Sequence, residues 1–197
     1  MLKLKKIAVT GGIASGKSTV CQLFRELGAY VVSADALVHE LLQPDTPLGK
    51  KLPQQFGNDL LVEGKISRQI LAQKVFGDPE KLGQLEALLH PRVRERTEEE
   101  YQKACREGGY TSFVAEIPLL FEVGGERFYD VTIALLTDPE RARERVAQRN
   151  LDYDLRMKRQ LPPEEKAKRA HYTLFNNGSM EDLKQRAKAL YHLIQHS

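Results

Sequence analysis

Uninterrupted apolar runs recur along the chain at intervals that suit the strands of a parallel sheet. Residues 112–117 and 131–136 are apolar without alternation, which is typical of strands that helices cover on both faces. Shorter runs rich in β-branched or aromatic residues predict three more strands, at residues 7–9, 30–32 and 172–175. The pattern therefore predicts a five-stranded parallel sheet.

Helical periodicity lies between these runs. Apolar residues follow at positions 20, 23, 24 and 27, and Gly28 supplies a C-terminal stop. Asp138 and Pro139 start another helix, as its N-cap and its first helical residue. A capping-box pattern from Ser179 to Asp182 precedes a last amphipathic helix. Strands that alternate with helices predict an α/β fold.

Residues 36–109 contain helices and loops without a convincing strand. Helical apolar spacing recurs at three places, and the last of these helices is expected to end at His90 and Pro91. A highly charged helix over residues 92–106 is predicted to follow. This interval of about 70 residues is long for a crossover between strands, so we predict a helical substrate-binding insertion.

Composition narrows the class of protein. The 197 residues are 41% hydrophobic and 29% charged, as in a soluble globular enzyme, and a net charge of +3 does not argue for nucleic-acid binding. No apolar run approaches the roughly 18 residues of a membrane span, and the N-terminus lacks the apolar stretch of a signal peptide. Cys21 and Cys105 suit a reducing cytoplasm, and Cys21 is expected to be buried. We expect a cytoplasmic protein that binds neither nucleic acid nor membrane.

The pattern G-x-x-x-x-G-K-[ST] lies between the first predicted strand and the first predicted helix, which identifies a phosphate-binding P-loop. Its glycines let backbone N–H groups turn inward, and the helix N-terminus adds a partial positive charge. Lys17 is expected to reach the β- and γ-phosphates of a bound nucleotide, and the Ser18 hydroxyl to bind Mg²⁺. The predicted nucleotide-binding residues of this segment are Gly11, Gly12, Ile13, Ala14, Ser15, Gly16, Lys17, Ser18 and Thr19.

A P-loop serves switches, motors and kinases alike, so other residues must discriminate. The guanine-reading pattern N-K-x-D and the switch pattern D-x-x-G do not occur in the sequence, which disfavours a guanine switch. A kinase needs an acceptor site, a group that takes or orients the acceptor proton, and cations that offset transition-state charge. The helical insertion, Asp35 after the second strand, and the arginine-rich residues 141–159 offer these three features. Two alternatives stay open: Asp35 as the cap of a helix that begins at Ala36, and most of the arginines as a solvated helix face.

Other ionisable residues are candidates for the same site. Glu116 ends a buried strand, where an unpaired carboxylate is unfavourable, so a polar site at the sheet edge is favoured over a structural salt bridge. The role of Glu122 stays open between these two interpretations. His90 is either a ligand contact or a structural histidine that ends a helix. The histidines show no metal-site spacing, so the sequence indicates no metal besides the Mg²⁺ of the nucleotide.

Short motifs beyond the P-loop occur along nearly the whole chain. They are Ser33-Ala34-Asp35, Ser67-Arg68-Gln69-Ile70-Leu71 with Val75-Phe76, His90-Pro91, Ile117-Pro118-Leu119-Leu120-Phe121-Glu122, Arg145 with Arg149, Gln160, and Asn176-Asn177-Gly178. Together with the P-loop and in this order, they resemble the dephospho-CoA kinase family. The family's usual glycine is replaced by Ala14, the first aspartate of its D-A-D motif by Ser33, and a common aspartate by Glu116.

The resemblance implies ATP-dependent phosphorylation of the ribose 3′-hydroxyl of dephospho-CoA, which gives CoA and ADP, with Mg²⁺ as the cofactor. It also implies a P-loop NTPase fold of three α/β/α layers with a helical substrate-binding insertion and an Arg-rich lid. The core is then expected to comprise residues 1–35, 110–138 and 166–197, the acceptor-binding insertion residues 36–109, and the lid residues 139–165.

The resemblance further implies roles for single residues. Asp35 is the expected catalytic base, Lys17, Arg145 and Arg149 are expected to offset phosphoryl charge, and Asn177 is expected near the adenine of ATP. We expect a monomer or weak homo-oligomer. The alternatives are another nucleoside monophosphate or small-metabolite kinase, and a non-catalytic ATP-binding module. The residues expected to contact the acceptor are Thr10, Asp35, Arg68, His90, Glu116 and Leu120.

Overall fold

The strands form one parallel sheet and one short hairpin. A computed structural model describes residues 3–147 and 160–196. Five strands pair in parallel in the order β2-β5-β1-β6-β7, which confirms the predicted five-stranded sheet. The strands of the chain are β1 (Lys6–Gly11), β2 (Tyr30–Ser33), β3 (Leu61–Val62), β4 (Lys65–Ile66), β5 (Phe113–Glu116), β6 (Val131–Leu136) and β7 (Tyr172–Phe175).

The helices belong to two compact units. The core unit comprises Met1–Ser33 and Tyr101–Ser197, and the insertion unit comprises Ala34–Glu100. Among the residues described, no helix is both long enough and apolar enough to cross a membrane. The α-helices are α1 (Lys17–Glu26), α2 (Ala34–Leu41), α3 (Pro47–Phe56), α4 (Arg68–Phe76), α5 (Pro79–Glu107), α6 (Pro139–Ala147), α7 (Pro163–Arg169) and α8 (Met180–His196).

Helices cover both faces of the parallel sheet. Because side chains alternate along a strand, Val114 of β5 packs on one face with Phe24 of α1 and Tyr191 of α8. Phe113 packs on the other face against Tyr101 of α5, with ring centroids 5.4 Å apart. Burial on both faces explains why the β5 sequence is apolar without alternation, and the predicted three-layer α/β/α arrangement is confirmed.

Both cysteines are free thiols. Cys21 of α1 is buried among the side chains that join α1 to the sheet, as predicted, and Cys105 is half-buried. Burial raises the pKa of the Cys21 thiol, because the thiolate is poorly solvated there. Cys21 therefore acts as a small apolar core residue.

The insertion unit has an apolar core of its own. Leu52 of α3 and Leu60 are completely buried, and Phe56, Leu71 and Leu85 from three helices pack in the same cluster. The helical period of the sequence predicts this packing, because apolar positions spaced by three or four residues share one helix face. Burial of these side chains stabilises the unit by about 1.5–3 kcal/mol for each large residue.

The expected break at His90 and Pro91 is wrong, because α5 runs without interruption through both residues. Proline removes one helical hydrogen bond and costs about 3 kcal/mol in a helix interior. Packing of Leu85 in the insertion unit and Tyr101 in the core unit supports the helix on either side of this point. A salt bridge of 2.7 Å from Arg92 to Glu95 lies immediately after the proline.

The expectation of no strand in residues 36–109 is also wrong. Strands β3 and β4 form an antiparallel hairpin in which Leu61 pairs with Ile66. Glu63 and Gly64 have φ values of +51° and +75°, as a tight two-residue turn requires. Two-residue strands carry too little sequence pattern for periodicity to detect.

A buried hydroxyl cluster joins α8 to the start of β5. The Tyr191 hydroxyl shares hydrogen bonds of 2.6 Å with Thr111 and 2.7 Å with Ser112. Tyr191→Phe leaves the completely buried Ser112 hydroxyl without this partner, so we expect the free energy of unfolding in urea to fall by about 1–2 kcal/mol. Tyr172→Phe is the matched control, because the Tyr172 hydroxyl makes no hydrogen bond within the described chain. Equal stability of the two variants would contradict this account.

Candidate active site

The P-loop follows a backbone path that requires glycine at two positions. Gly11 has a φ of +147° and Gly16 a φ of +100°. A Cβ added at Gly11 would lie 2.3 Å from the carbonyl oxygen of Leu135, and one added at Gly16 would lie 2.5 Å from Nδ2 of Asn176. The loop therefore wraps closely against the end of β6 and the segment after β7.

Ala14 is a third loop residue with a left-handed backbone, at a φ of +55°. A residue with a Cβ is strained in this region, and glycine adopts it at no steric cost. This conformation explains why glycine suits the position at which the chain has Ala14.

Side-chain donors hold the carbonyl oxygens of the loop. Lys17, at the start of α1, donates from Nζ to the carbonyls of Gly11 at 3.1 Å and Gly12 at 2.7 Å. Arg145 of α6 donates to the Ala14 carbonyl at 3.1 Å. The buried Asn176 donates to the Ser15 carbonyl at 2.8 Å.

Asn176 is a site residue that sequence reasoning missed. Its only signal is the motif Asn176-Asn177-Gly178, in which the prediction chose Asn177. Asn177 pairs with Asp138: its Nδ2 donates to Asp138 Oδ1, and its Oδ1 accepts from the Asp138 N–H, both at 2.9 Å. Asn177 thus joins the segment after β7 to the start of α6, and that helix begins at Pro139 as predicted.

Two oxygen-bearing side chains meet at the end of the central strands. Ser18, the second residue of α1, donates from Oγ to Oε1 of Glu116 at 2.9 Å. Glu116 is the last residue of β5 and pairs in register with Val9 of β1 and Ser33 of β2. The sequence assigned Ser18 to the metal and Glu116 to the acceptor, and the structure brings the two side chains together.

Two further predicted residues lie beside this strand end. Thr10 is completely buried, and its hydroxyl donates to the carbonyl of Pro118 at 3.2 Å. Leu120 is also completely buried and packs with Ala8 and Phe121. The Leu120 side chain is therefore a core contact of the segment after β5.

Asp35, Arg68 and His90 belong to the insertion unit and are all exposed. Asp35 lies in the first turn of α2, which begins at Ala34, so the alternative of a cap for a helix that begins at Ala36 is wrong. A carboxylate in a first turn interacts favourably with the helix dipole. Arg68 is the first residue of α4. His90 lies inside α5, so the alternative of a histidine that ends a helix is wrong.

Arg149 lies outside the described residues, as do the predicted lid arginines at 156 and 159. Residues 3–147 and 160–196 contain no group of three or more histidine, cysteine, aspartate or glutamate residues that could hold a metal ion. The Ser18 hydroxyl and the Glu116 carboxylate place oxygen atoms beside the loop.

These elements together define the class of protein. A buried strand leads into a glycine loop, lysine and serine begin the next helix, and a carboxylate ends the neighbouring strand. This is the arrangement with which P-loop phosphotransferases bind a nucleoside triphosphate and its Mg²⁺.

Comparison with known proteins identifies the family within this class. The sequence profile of the family described as Dephospho-CoA kinase matches residues 5–182, and the chain belongs to this family of kinases. The dephospho-CoA kinase of Protochlamydia amoebophila is 41% identical over 196 residues, which cover 97% of each chain. The crystal structure of TT1252 from Thermus thermophilus superposes with a TM-score of 0.82 at 37% identity, over 97% of this chain and 98% of that one. The dephospho-CoA kinase from Campylobacter jejuni gives a TM-score of 0.72 at 31% identity, over 97% of each chain.

The packing of the loop predicts different effects for two glycines. Gly16→Ala places a methyl group against Asn176 at a left-handed φ, so we expect the unfolding free energy without nucleotide to fall by about 2 kcal/mol or more. Gly12→Ala is the control, because a Cβ there meets no protein atom within 4 Å. Thermal unfolding of the two variants measures the difference, and an unchanged Tm for Gly16→Ala would refute the packing argument.

Proposed function

We propose that the chain transfers the γ-phosphoryl group of ATP to the ribose 3′-hydroxyl of dephospho-CoA, which gives CoA and ADP. Family membership supports the reaction, and the observation that carries it is the P-loop with Lys17, Ser18 and Glu116 at one strand end. The relatives from Protochlamydia amoebophila and Campylobacter jejuni carry the name of this activity. We further propose a cytoplasmic protein, in keeping with two free cysteines.

The residues present suit Mg²⁺ as the cofactor. Mg²⁺ prefers oxygen ligands and in kinases is held by few protein groups together with phosphates and water. The Ser18 hydroxyl and the Glu116 carboxylate supply such oxygens, 2.9 Å apart, at the start of α1. When bound, Mg²⁺ neutralises charge on the β- and γ-phosphates. We propose that Ser18 ligates the ion and that Glu116 orients Ser18 or a water molecule of the ion.

Positive charge on the chain is proposed to stabilise the transferred group. When the nucleotide binds, the Lys17 ammonium group is proposed to exchange its hydrogen bonds to the carbonyls of Gly11 and Gly12 for hydrogen bonds to phosphate oxygens. The exchange is favourable because a charged acceptor makes a stronger hydrogen bond than a peptide carbonyl does. Arg145 approaches the loop from α6 and is proposed to act with Arg149 on the equatorial oxygens. Asn177 is proposed to lie near the adenine.

Asp35 is proposed to accept or orient the proton of the acceptor hydroxyl. Three features support this role: its match to the family's D-A-D motif, its exposure, and its place two residues after the end of β2. An exposed carboxylate is open to a substrate hydroxyl, and aspartate is among the side chains that serve as general bases. The insertion unit, with the exposed Arg68 and His90, is proposed to bind the acceptor.

The reaction predicts selectivity among acceptors. In a coupled assay of ADP release, we expect dephospho-CoA to stimulate turnover far above the ATPase background, and AMP, CMP, shikimate and gluconate to give little stimulation. Turnover with one of these competitors alone would favour a different small-metabolite kinase. ATP binding without stimulation by any acceptor would instead favour a non-catalytic nucleotide-binding module.

The role of Asp35 predicts a loss of rate rather than of binding. We expect Asp35→Asn to lower kcat about a hundredfold or more, the scale of a positioned proton acceptor, with little change in KM for ATP. Asp45→Asn is the matched control, because Asp45 is also exposed in the insertion unit and makes no hydrogen bond or ion pair within the described residues. Steady-state kinetics decide the point, and a near wild-type kcat for Asp35→Asn would remove Asp35 from the catalytic step.

A further inference from the structure

Lys166 of α7 is a completely buried lysine, with 1% of its side chain exposed. Its Nζ donates to the carbonyl oxygen of Pro118 at 2.7 Å and pairs with Oε1 of Glu122 at 2.9 Å. The same Glu122 oxygen accepts from the backbone N–H of Leu161 at 2.7 Å. The carboxylate that the sequence left undecided is therefore the counter-charge of a buried ammonium group.

The Pro118 carbonyl accepts two hydrogen bonds, one from Lys166 and one from the hydroxyl of Thr10. Thr10 is the residue immediately before the P-loop. The N–H of Ile117, one residue earlier, donates to the carbonyl of Val9 at 2.9 Å. One residue earlier again, Glu116 accepts from Ser18. The last residue of β5 and the two residues after it are thus bonded to β1 and to the start of α1.

A charge in this place is costly for stability. Burial lowers the pKa of Lys166 by penalising the ammonium form, and the nearby Glu122 opposes this shift. Well-packed apolar side chains often stabilise a protein as much as a buried ion pair does. An apolar side chain at this position could not donate a hydrogen bond to the Pro118 carbonyl. The feature that only the lysine provides is therefore this hydrogen bond, just after the end of β5.

We propose that Lys166 is a positioning residue for phosphoryl transfer: through its bond to Pro118 it fixes Glu116 and the two residues after β5 against the strand that leads into the P-loop. The proposal rests on the proposed function for its kinetic effect. Its structural effect, the immobility of this strand end, exists without nucleotide or acceptor.

Two variants separate positioning from stability. Lys166→Met removes the donor and leaves the buried Glu122 carboxylate without its ammonium partner, so it lowers both Tm and kcat. The double variant Lys166→Met with Glu122→Gln removes the unpaired charge, and its neutral amide oxygen can still accept from the Leu161 N–H, so we expect most of the lost Tm to return. We expect kcat to stay about tenfold or more below wild type in the double variant, because the Pro118 carbonyl still lacks the hydrogen bond from Lys166 and keeps only the one from Thr10.

A second measurement reports how often the strand end opens in the protein without ligands. We expect hydrogen exchange of the Ile117 amide to be about tenfold faster in the double variant than in wild type. Lys168→Met is the control on the same helix, because Lys168 is exposed and pairs with Glu165 within α7. It should change neither exchange nor kcat.

Recovery of kcat together with Tm in the double variant, or unchanged exchange at Ile117, would overturn the proposal and leave Lys166 with a purely stabilising role. Absence of turnover in the wild type with dephospho-CoA would instead overturn the proposed function. The exchange measurement would then still decide whether Lys166 fixes the strand end. If Lys166→Met alone does not fold, the double variant carries both tests.

Discussion

The backbone conformation of the P-loop is the constraint on which the site depends. Side-chain donors from Lys17, Arg145 and Asn176 bind the carbonyls of four loop residues. Bonds to the carbonyls fix the orientation of these peptide units, because the C=O and the N–H of one unit point in opposite directions. A backbone conformation that is set before a ligand arrives lowers the cost of binding a polyphosphate.

The sheet places the acidic group beside this loop. Glu116 pairs in register with Val9 and Ser33, so its carboxylate stands at the end of β5, beside the strand that leads into the loop. The neighbouring strand β2 ends at Ser33, which carries no carboxylate. The side chain of Glu116 is one methylene longer than that of aspartate, and its carboxylate contacts Ser18. The oxygen atoms of Ser18 and Glu116 and the ammonium group of Lys17 therefore lie at one end of parallel strands, where ligands bind in open α/β sheets.

Periodic apolar patterns and local motifs predict the structure well. The apolar strands and the P-loop depend on local residues, and both are confirmed. The continuous α5 could not be inferred from His90 and Pro91, because packing at both of its ends outweighs a local helix breaker. Asn176 and Lys166 were missed for a related reason: their partners, Ser15 and Pro118, are 161 and 48 residues away in sequence. Single polar residues with distant partners leave no periodic signal.

The roles proposed for the site all depend on transfer of phosphoryl from ATP to one defined hydroxyl group. ³¹P NMR of the product formed from ATP and dephospho-CoA tests it most directly, because the chemical environment of the new phosphate reports where it is attached. We expect loss of the γ-phosphate signal of ATP and an equal gain of a phosphomonoester signal that coincides with the 3′-phosphate of CoA. Release of inorganic phosphate alone, or a phosphomonoester at another position, would rule out this reaction.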